Sequence, residues 1–316
     1  MPALDPLKLL DAAESGDRRA LARLITIVEE GRDGSRSVLQ ASYPRDGGAY
    51  RIGVTGAPGA GKSTLGDQLV TTIRRRGEEV GVLAVDPTSP FSGGSVLGDR
   101  VRMQDHILDE GVYIRSMASR GHLGGLSVAA PKALSVMAVA GFPYLVVETV
   151  GVGQDEVDVA SAADTVVVVV NPGWGDGIQA AKAGILEIGD VFAVNKADRP
   201  GVDDTVADLR SMLALGEATA WQPPIVRTVG TTGDGVDELF EAVLAHRAHL
   251  EADGLEGSRR SRRRSELTTA LTDEMRRTAE VLMASDEVAT DVAAVEAGRL
   301  DPWSAAERIL DTRPPD

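Results

Sequence analysis

Hydrophobic and polar positions define two alternating kinds of segment along the first three quarters of the chain. Short runs rich in β-branched residues alternate with stretches in which apolar residues recur at helical spacing. The runs predict strands at residues 51–55, 80–85, 112–115, 144–148, 165–170, 191–194 and 225–229. This alternation is typical of a mostly parallel sheet with helices on both faces. We therefore predict an α/β fold, a three-layer sandwich whose ligands bind at the carboxyl ends of the strands.

Helical patterns flank this core on both sides. Asp5-Pro6 and the break at 15–17 predict a hairpin of two helices, the second over 18–30, followed by a linker at 31–48. The predicted later helices cover residues 237–252, 267–284, 287–297 and 303–310. We accordingly divide the chain into an N-terminal helical extension and linker (1–48), a core (49–236) and a C-terminal helical extension (237–316).

Composition and charge narrow the class of partner. The 316 residues carry a net charge of -15 and only 3% aromatic residues, which disfavours nucleic acid and an anionic membrane surface as partners. The longest aliphatic run, Val166 to Val170, is too short to span a bilayer, and no secretory signal is visible at the start. With no cysteine in the sequence, a reducing cytoplasm is the expected location.

A phosphate-binding loop follows the first predicted strand. Its proposed nucleotide-binding residues are Gly56, Ala57, Pro58, Gly59, Ala60, Gly61, Lys62, Ser63 and Thr64. Glycines let backbone N–H groups converge on phosphate oxygens, and the helix that follows turns its positive end toward the anion. We expect Lys62 to reach the terminal phosphates and the Ser63 hydroxyl to bind Mg²⁺. The loop predicts a P-loop NTPase.

The identity of the nucleotide base is indicated by a second motif. This motif is Asn195-Lys196-Ala197-Asp198, which closes the sixth predicted strand. In P-loop GTPases an aspartate in this motif accepts two N–H bonds from guanine, which adenine does not offer in that geometry. The order of the two motifs favours GTP over ATP. The loop after the last strand, Val229-Gly230-Thr231, is expected to contact the base through its backbone.

Acidic residues near the strand ends are candidate Mg²⁺ ligands. Glu148 ends the fourth strand, and Asp86 and Asp99 bracket a Gly- and Ser-rich loop; oxygen ligands of this kind suit Mg²⁺. The alternative for Asp99 is a surface acid beside a helix. Gln154 is a candidate for orienting the attacking water.

Two features carry a plainer interpretation. The basic run at 258–265 is interpreted as an exposed linker and helix start, with partner docking as the alternative. His246 and His249 lie three residues apart on one predicted helix, and without a third ligand we interpret them as part of a solvated face.

Four segments together resemble one known family. They are the phosphate loop, residues 86–99, residues 148–154 and residues 182–198. These motifs look like those of the methylmalonyl-CoA mutase-associated GTPases, also called ArgK-type or LAO/AO transport ATPases. The resemblance extends from about residue 17 to residue 312 and is carried by motifs more specific than a phosphate loop alone.

The resemblance implies a GTPase chaperone that gates delivery of adenosylcobalamin to an acyl-CoA mutase and protects that mutase. It also implies a homodimer held together by the helical extensions. Residues 171–182 correspond to a third switch; Asp176, Gln179 and Lys182 carry over, with Lys182 counted among the catalytic residues. Gly177 departs from the family, which commonly has Glu there.

Two alternatives stay open at this point. One is an ATP-dependent kinase linked to amino-acid transport, against which the motif at 195–198 speaks. The other is a nickel-delivery metallochaperone GTPase, which would need Cys and His clusters. No arginine is placed by motif to act as a finger, so we expect hydrolysis to be slow without a partner.

Overall fold

The computed structural model describes residues 5–46, 48–86, 103–106, 108–118, 129–149, 159–173, 187–215 and 220–311. For Asp86 it describes the backbone but not the side chain. The chain forms two compact units, Met1–Arg262 and Arg263–Asp316.

The first unit is built on a sheet of seven parallel strands. The strands are β1 (Tyr50–Gly56), β2 (Val80–Asp86), β3 (Val112–Ala118), β4 (Tyr144–Thr149), β5 (Thr165–Val170), β6 (Val191–Val194) and β7 (Ile225–Arg227). Their order across the sheet is β3-β2-β4-β1-β5-β6-β7, with every pairing parallel. The predicted α/β fold is confirmed.

Burial explains why these segments form central strands. Every residue of β1, β4, β5 and β6 is buried, as expected for strands covered on both faces. Since β1 lies between β4 and β5 and pairs with both in parallel, the carboxyl ends of these three strands lie side by side at one edge of the sheet. That edge is where parallel sheets bind ligands.

Three helices precede the sheet, where the sequence predicts two. They are α1 (Pro6–Glu14), α2 (Arg18–Glu30) and α3 (Ser35–Ser42). The side chain of Asp17 caps α2 by accepting hydrogen bonds from the amides of Arg19 and Ala20, which lower its pKa. The predicted linker was wrong at 35–42, because Val38 is fully buried and holds α3 against the other helices.

The helices that follow the loop and the strands are α4 (Lys62–Arg75), α5 (Ala129–Val139), α6 (Val202–Leu213) and α7 (Val236–Asp253). Helix α2 packs on α5, so the N-terminal helices rest on one helical layer of the core. Three more helices complete the described chain: α8 (Leu255–Met283), α9 (Ala289–Glu296) and α10 (Pro302–Asp311). None of the helices in the described ranges combines the length and the apolar character needed to cross a membrane.

The basic run at 258–265 lies in the first turns of helix α8, so the expected helix start is confirmed and the expected linker was wrong. The side chains of Arg259 and Arg262 are only 12% and 10% exposed. Arg262 pairs with Oδ1 of the fully buried Asp164, and Nε of Arg259 lies 3.6 Å from the same oxygen. Oδ2 of Asp164 accepts a hydrogen bond of 2.9 Å from the amide of Arg51. Two arginines thus anchor the first turns of α8 to the starts of β1 and β5.

Candidate nucleotide site

The predicted phosphate loop connects β1 to α4 across the carboxyl edge of the sheet. Gly56 has a φ of 135°, and a Cβ atom there would lie 2.0 Å from the carbonyl oxygen of Val169 on β5. Gly61 has a φ of 93°, and a Cβ atom there would lie 2.4 Å from Nδ2 of Asn195. Only glycine fits both positions, because a residue without a Cβ atom lets the loop backbone pass close to Val169 and Asn195.

Lys62 and Ser63 begin helix α4 and are both buried. Nζ of Lys62 donates to the carbonyl oxygens of Gly56 at 2.5 Å and Ala57 at 3.3 Å, so its ammonium group lies beside the loop backbone. Pro58 and Gly59, in contrast, are exposed at the outer face of the loop. A helix N-terminus with a lysine at this place is suited to hold an anion.

Asn195 fastens the loop to the opposite side of the site. Its Nδ2 donates to the carbonyl oxygen of Ala60 at 2.8 Å, while its Oδ1 accepts from the amide of Gly230 at 2.9 Å and from Oγ1 of Thr228 at 3.3 Å. The residue is 2% exposed, so these bonds form away from bulk water. The motif at 195–198 therefore bridges the phosphate loop and the loop after β7.

The next residues of this motif point outward. Lys196 has a φ of 58°, and its Nζ donates to the carbonyl oxygen of Gly59 at 2.6 Å. Asp198 is exposed at the same edge of the sheet, and the amide of Ala197 between them donates to the carbonyl oxygen of Thr228 at 3.0 Å. A positive φ is uncommon outside glycine and recurs at functional sites.

The predicted base-side residues form a tight turn after β7. The amide of Val229 donates to the carbonyl oxygen of Asp234 at 2.9 Å, which closes the turn. Gly230 is buried against Asn195, and Thr231 is exposed. A Cβ atom on Gly230 would lie 3.3 Å from Oδ1 of Asn195, so the small residue permits the bridging hydrogen bond.

Glu148 lies on the other side of the loop, near the end of β4. Its side chain is 1% exposed, and its Oε2 lies 3.6 Å from where a Cβ atom on Gly66 would be. Gly66 is three residues after Ser63 on α4, so the carboxylate and the hydroxyl face the same side of that helix. A carboxylate and a hydroxyl oxygen beside a phosphate loop fit the oxygen ligands that Mg²⁺ takes.

Several predicted site residues lie outside the part of the chain that the structure describes. They are Asp99, Gln154, Lys182 and most of the third-switch segment, together with the side chain of Asp86. Thr228, by contrast, was missed from the sequence although it contacts Asn195. Its signal is a polar residue at a strand end directly before the base-side triplet.

A family model described as methylmalonyl Co-A mutase-associated GTPase MeaB matches residues 21–284. The chain belongs to the MeaB family. A putative GTPase of Pyrococcus horikoshii is 48% identical to it over 310 residues, which is 96% of this chain and 97% of that protein. The mouse protein named methylmalonic aciduria type A homolog, mitochondrial, is 31% identical over 270 residues, or 78% of this chain and 64% of that protein.

This MeaB-family chain is also similar to a solved structure of an LAO/AO transport system kinase, with a TM-score of 0.70 and 26% sequence identity. The match covers 99% of this chain and 98% of the kinase chain. The family and its named relatives confirm that this chain is a GTPase with a nucleotide-binding P-loop fold.

Proposed function

We propose that this GTPase binds GTP with Mg²⁺ at the carboxyl edge of the sheet and uses hydrolysis to regulate an adenosylcobalamin-dependent acyl-CoA mutase. The observation that carries the nucleotide part is the loop held between β1, α4 and Asn195. Its glycines leave room for phosphate, Lys62 supplies a cation, and Asn195 ties the phosphate side to the base side.

The proposed reaction gives each site residue a separate task. The loop amides and Lys62 bind the phosphates, and Lys62 stabilises negative charge as it develops. Ser63 and Glu148, with Asp86 and Asp99, would hold Mg²⁺, which supplies charge neutralisation on the phosphates. Gln154 is proposed to orient water and Lys182 to act from the third switch.

Guanine selection is proposed to rest on Asp198, with Asn195 and Lys196 as its support. Asp198 lies three residues after Asn195, whose side chain bridges the two loops, and it is exposed. A guanine base bound beside the phosphate loop can therefore reach the Asp198 carboxylate. Competition of unlabelled GTP and ATP against a fluorescent GDP tests this role. Asp198→Asn should reduce the preference for GTP, and unchanged competition would refute the base assignment.

The mutase part of the proposal rests on the family. The matching model is described as mutase-associated, and the mouse relative is named for methylmalonic aciduria. We propose that the client is methylmalonyl-CoA mutase or a closely related acyl-CoA mutase, and that the GTPase gates adenosylcobalamin delivery to it and protects it. A reducing compartment, the cytoplasm, suits a chain without cysteine.

A homodimer through the C-terminal helices is also part of the proposal. Helix α8 carries exposed apolar side chains at Leu267, Leu271 and Met275, spaced four residues apart on one face. A stripe of this kind is stabilised when a second helix covers it. A second copy of the chain supplies the same stripe, which fits a two-fold interface.

Transfer of adenosylcobalamin to the apo form of the organism's own mutase tests the central proposal. We expect loading to differ between GTP, a non-hydrolysable GTP analogue and GDP, because the nucleotide state sets the gate. Loading that is the same with all three nucleotides and without the GTPase would contradict the proposal. A nickel-delivery role is less well supported, since the sequence contains no cysteine.

A further inference from the structure

A polar seam joins helix α4 to the segment that precedes β3. Nε2 of His106 lies 3.2 Å from Oγ1 of Thr71, 3.3 Å from the carbonyl oxygen of Asp67 and 3.4 Å from Oδ1 of the same Asp67. Three residues later, Asp109 accepts hydrogen bonds from Nε and Nη2 of Arg74, both at 2.9 Å. Two separate contacts therefore fasten this segment to one helix.

The seam follows one face of α4 toward the nucleotide site. Its three helix residues are spaced by four and three positions, so they lie above one another on that face. Asp109 contacts the helix at its last turn, whereas His106, earlier in the chain, contacts it nearer its start. The segment thus leads back toward the start of α4, where Ser63 lies one turn before Asp67.

The His106 end of the seam is buried. His106 is 8% exposed, and the side chain of Asp67 is 14% exposed. The amide of His106 donates at 3.2 Å to the carbonyl oxygen of Met103, which belongs to the hydrophobic core. Oγ1 of Thr71 also donates to the carbonyl oxygen of Asp67, at 3.1 Å. Satisfied polar contacts in such a place hold their two segments in one arrangement.

Both segments that His106 joins lead to residues assigned to Mg²⁺ by the proposed function. Ser63 precedes Asp67 by four positions, and Asp99 precedes Met103 by four positions in the sequence. Mg²⁺ holds its oxygen ligands at about 2.0–2.1 Å in near-octahedral geometry. Two segments that each supply a ligand therefore have to be fixed to one another.

We propose that His106 is a positioning residue of the Mg²⁺ site, which holds the segment that follows Asp99 against the turn of α4 that follows Ser63. His106 acts through Asp67 and is not itself a ligand of the ion. This role rests on the proposed function, because that function supplies the metal ion and its ligands.

A second buried histidine provides the matched control. His246 on α7 is 4% exposed, so the solvated face predicted for it was wrong. Its Nδ1 lies 2.8 Å from Oγ1 of Thr165 at the start of β5, and its Nε2 lies 3.5 Å from Oδ1 of Asp190, just before β6. These contacts lie at the edge of the sheet opposite the phosphate loop. Loss of His246 should therefore lower stability without altering the metal site.

Two substitutions of His106 separate the reach of the side chain from its polarity. The amide nitrogen of glutamine can take the place of Nε2, whereas the shorter asparagine side chain does not extend to Asp67. Binding of a fluorescent, non-hydrolysable GTP analogue is measured while the Mg²⁺ concentration is varied. His106→Asn should raise the half-saturating Mg²⁺ concentration about tenfold, the usual size of a loss of support around a metal site. His106→Gln should restore a value close to that of the parent protein.

The control variant His246→Asn should leave the half-saturating Mg²⁺ concentration unchanged. Urea unfolding should show a loss of stability in both asparagine variants, so stability alone does not explain a difference between them. An unchanged Mg²⁺ concentration for His106→Asn, or an equal rise for His246→Asn, would overturn the positioning role. A parent protein that binds the analogue equally well with and without Mg²⁺ would instead contradict the proposed metal site, and this role with it.

Nuclear magnetic resonance of ¹⁵N-histidine in the parent protein gives a measurement that does not depend on the folding of a variant. The ring signals of His106 should shift when Mg²⁺ is added to the protein with the GTP analogue bound, and those of His246 should stay in place. A His106 signal that does not move would overturn the proposal.

Discussion

The bridge made by Asn195 gives the sharpest test of how the two halves of the nucleotide site are held together. The change Asn195→Ala removes three hydrogen bonds of 3.3 Å or less, to the carbonyl oxygen of Ala60, the amide of Gly230 and the hydroxyl of Thr228. It also removes a longer contact of 3.5 Å to the carbonyl oxygen of Gly61. The phosphate loop then loses the connection to the loop after β7 that runs through this side chain. Both stability and nucleotide affinity should fall.

The size of the loss follows from burial and bond number. Each hydrogen bond contributes about 1 kcal/mol net, which gives about 3 kcal/mol for the three. Asn195 is 2% exposed, so the amide of Gly230 and the carbonyl oxygen of Ala60 lose their partner where water has little access. Unpaired buried groups cost about 1–3 kcal/mol each, so about 3 kcal/mol is the lower end of the expected loss of unfolding free energy.

Urea denaturation and titration with a fluorescent GDP measure the two effects. Thr228→Val is the matched variant, because it removes only the longest of the three bonds and should cost about 1 kcal/mol. In the double variant the Thr228 change should add less than it does alone, since its partner is gone. The bridge would be refuted if Asn195→Ala had an unfolding free energy within about 0.5 kcal/mol of the parent and an unchanged GDP affinity.

Three further outcomes follow from the structure and the proposed function. Lys62→Ala should lower the GTP hydrolysis rate about 100-fold or more, measured by phosphate release, because it removes the cation at the loop; a rate within about threefold of the parent would contradict this. Arg262→Met should cost about 3 kcal/mol of unfolding free energy by leaving Asp164 short of a partner, whereas Arg260→Met, on the exposed side of α8, should change it by less than about 0.5 kcal/mol. Leu271→Asp should shift the sedimentation of the protein from dimer to monomer, and a shift absent at micromolar concentration would argue against the α8 interface.

The sequence predicts the sheet and the nucleotide loop well because both depend on local patterns. All seven strands were predicted, since a strand such as Thr165–Val170 is a continuous β-branched run that has to be buried. The phosphate loop and the motif at 195–198 are contiguous in sequence and fall at strand ends. Boundaries were less accurate: β3 extends three residues beyond its predicted end.

Contacts between distant residues could not be predicted in this way. Asp164 and Arg262 are 98 positions apart, and nothing near either residue indicates the other. The basic run was interpreted from its charge, whereas the spacing of Arg259 and Arg262 places them on one face of a helix. His246 was judged by its polar neighbours on α7, but the partners that bury it come from β1, β5 and the segment before β6.

The rate of GTP hydrolysis with and without the organism's own adenosylcobalamin-dependent mutase tests the central proposal most directly. The account predicts slow hydrolysis by the GTPase alone and a rate at least about tenfold higher with the mutase, because the partner is proposed to complete the switch. Lys62→Ala, which is expected to lack hydrolysis, serves as the baseline in both conditions. Equal rates with and without the mutase would contradict the proposed function.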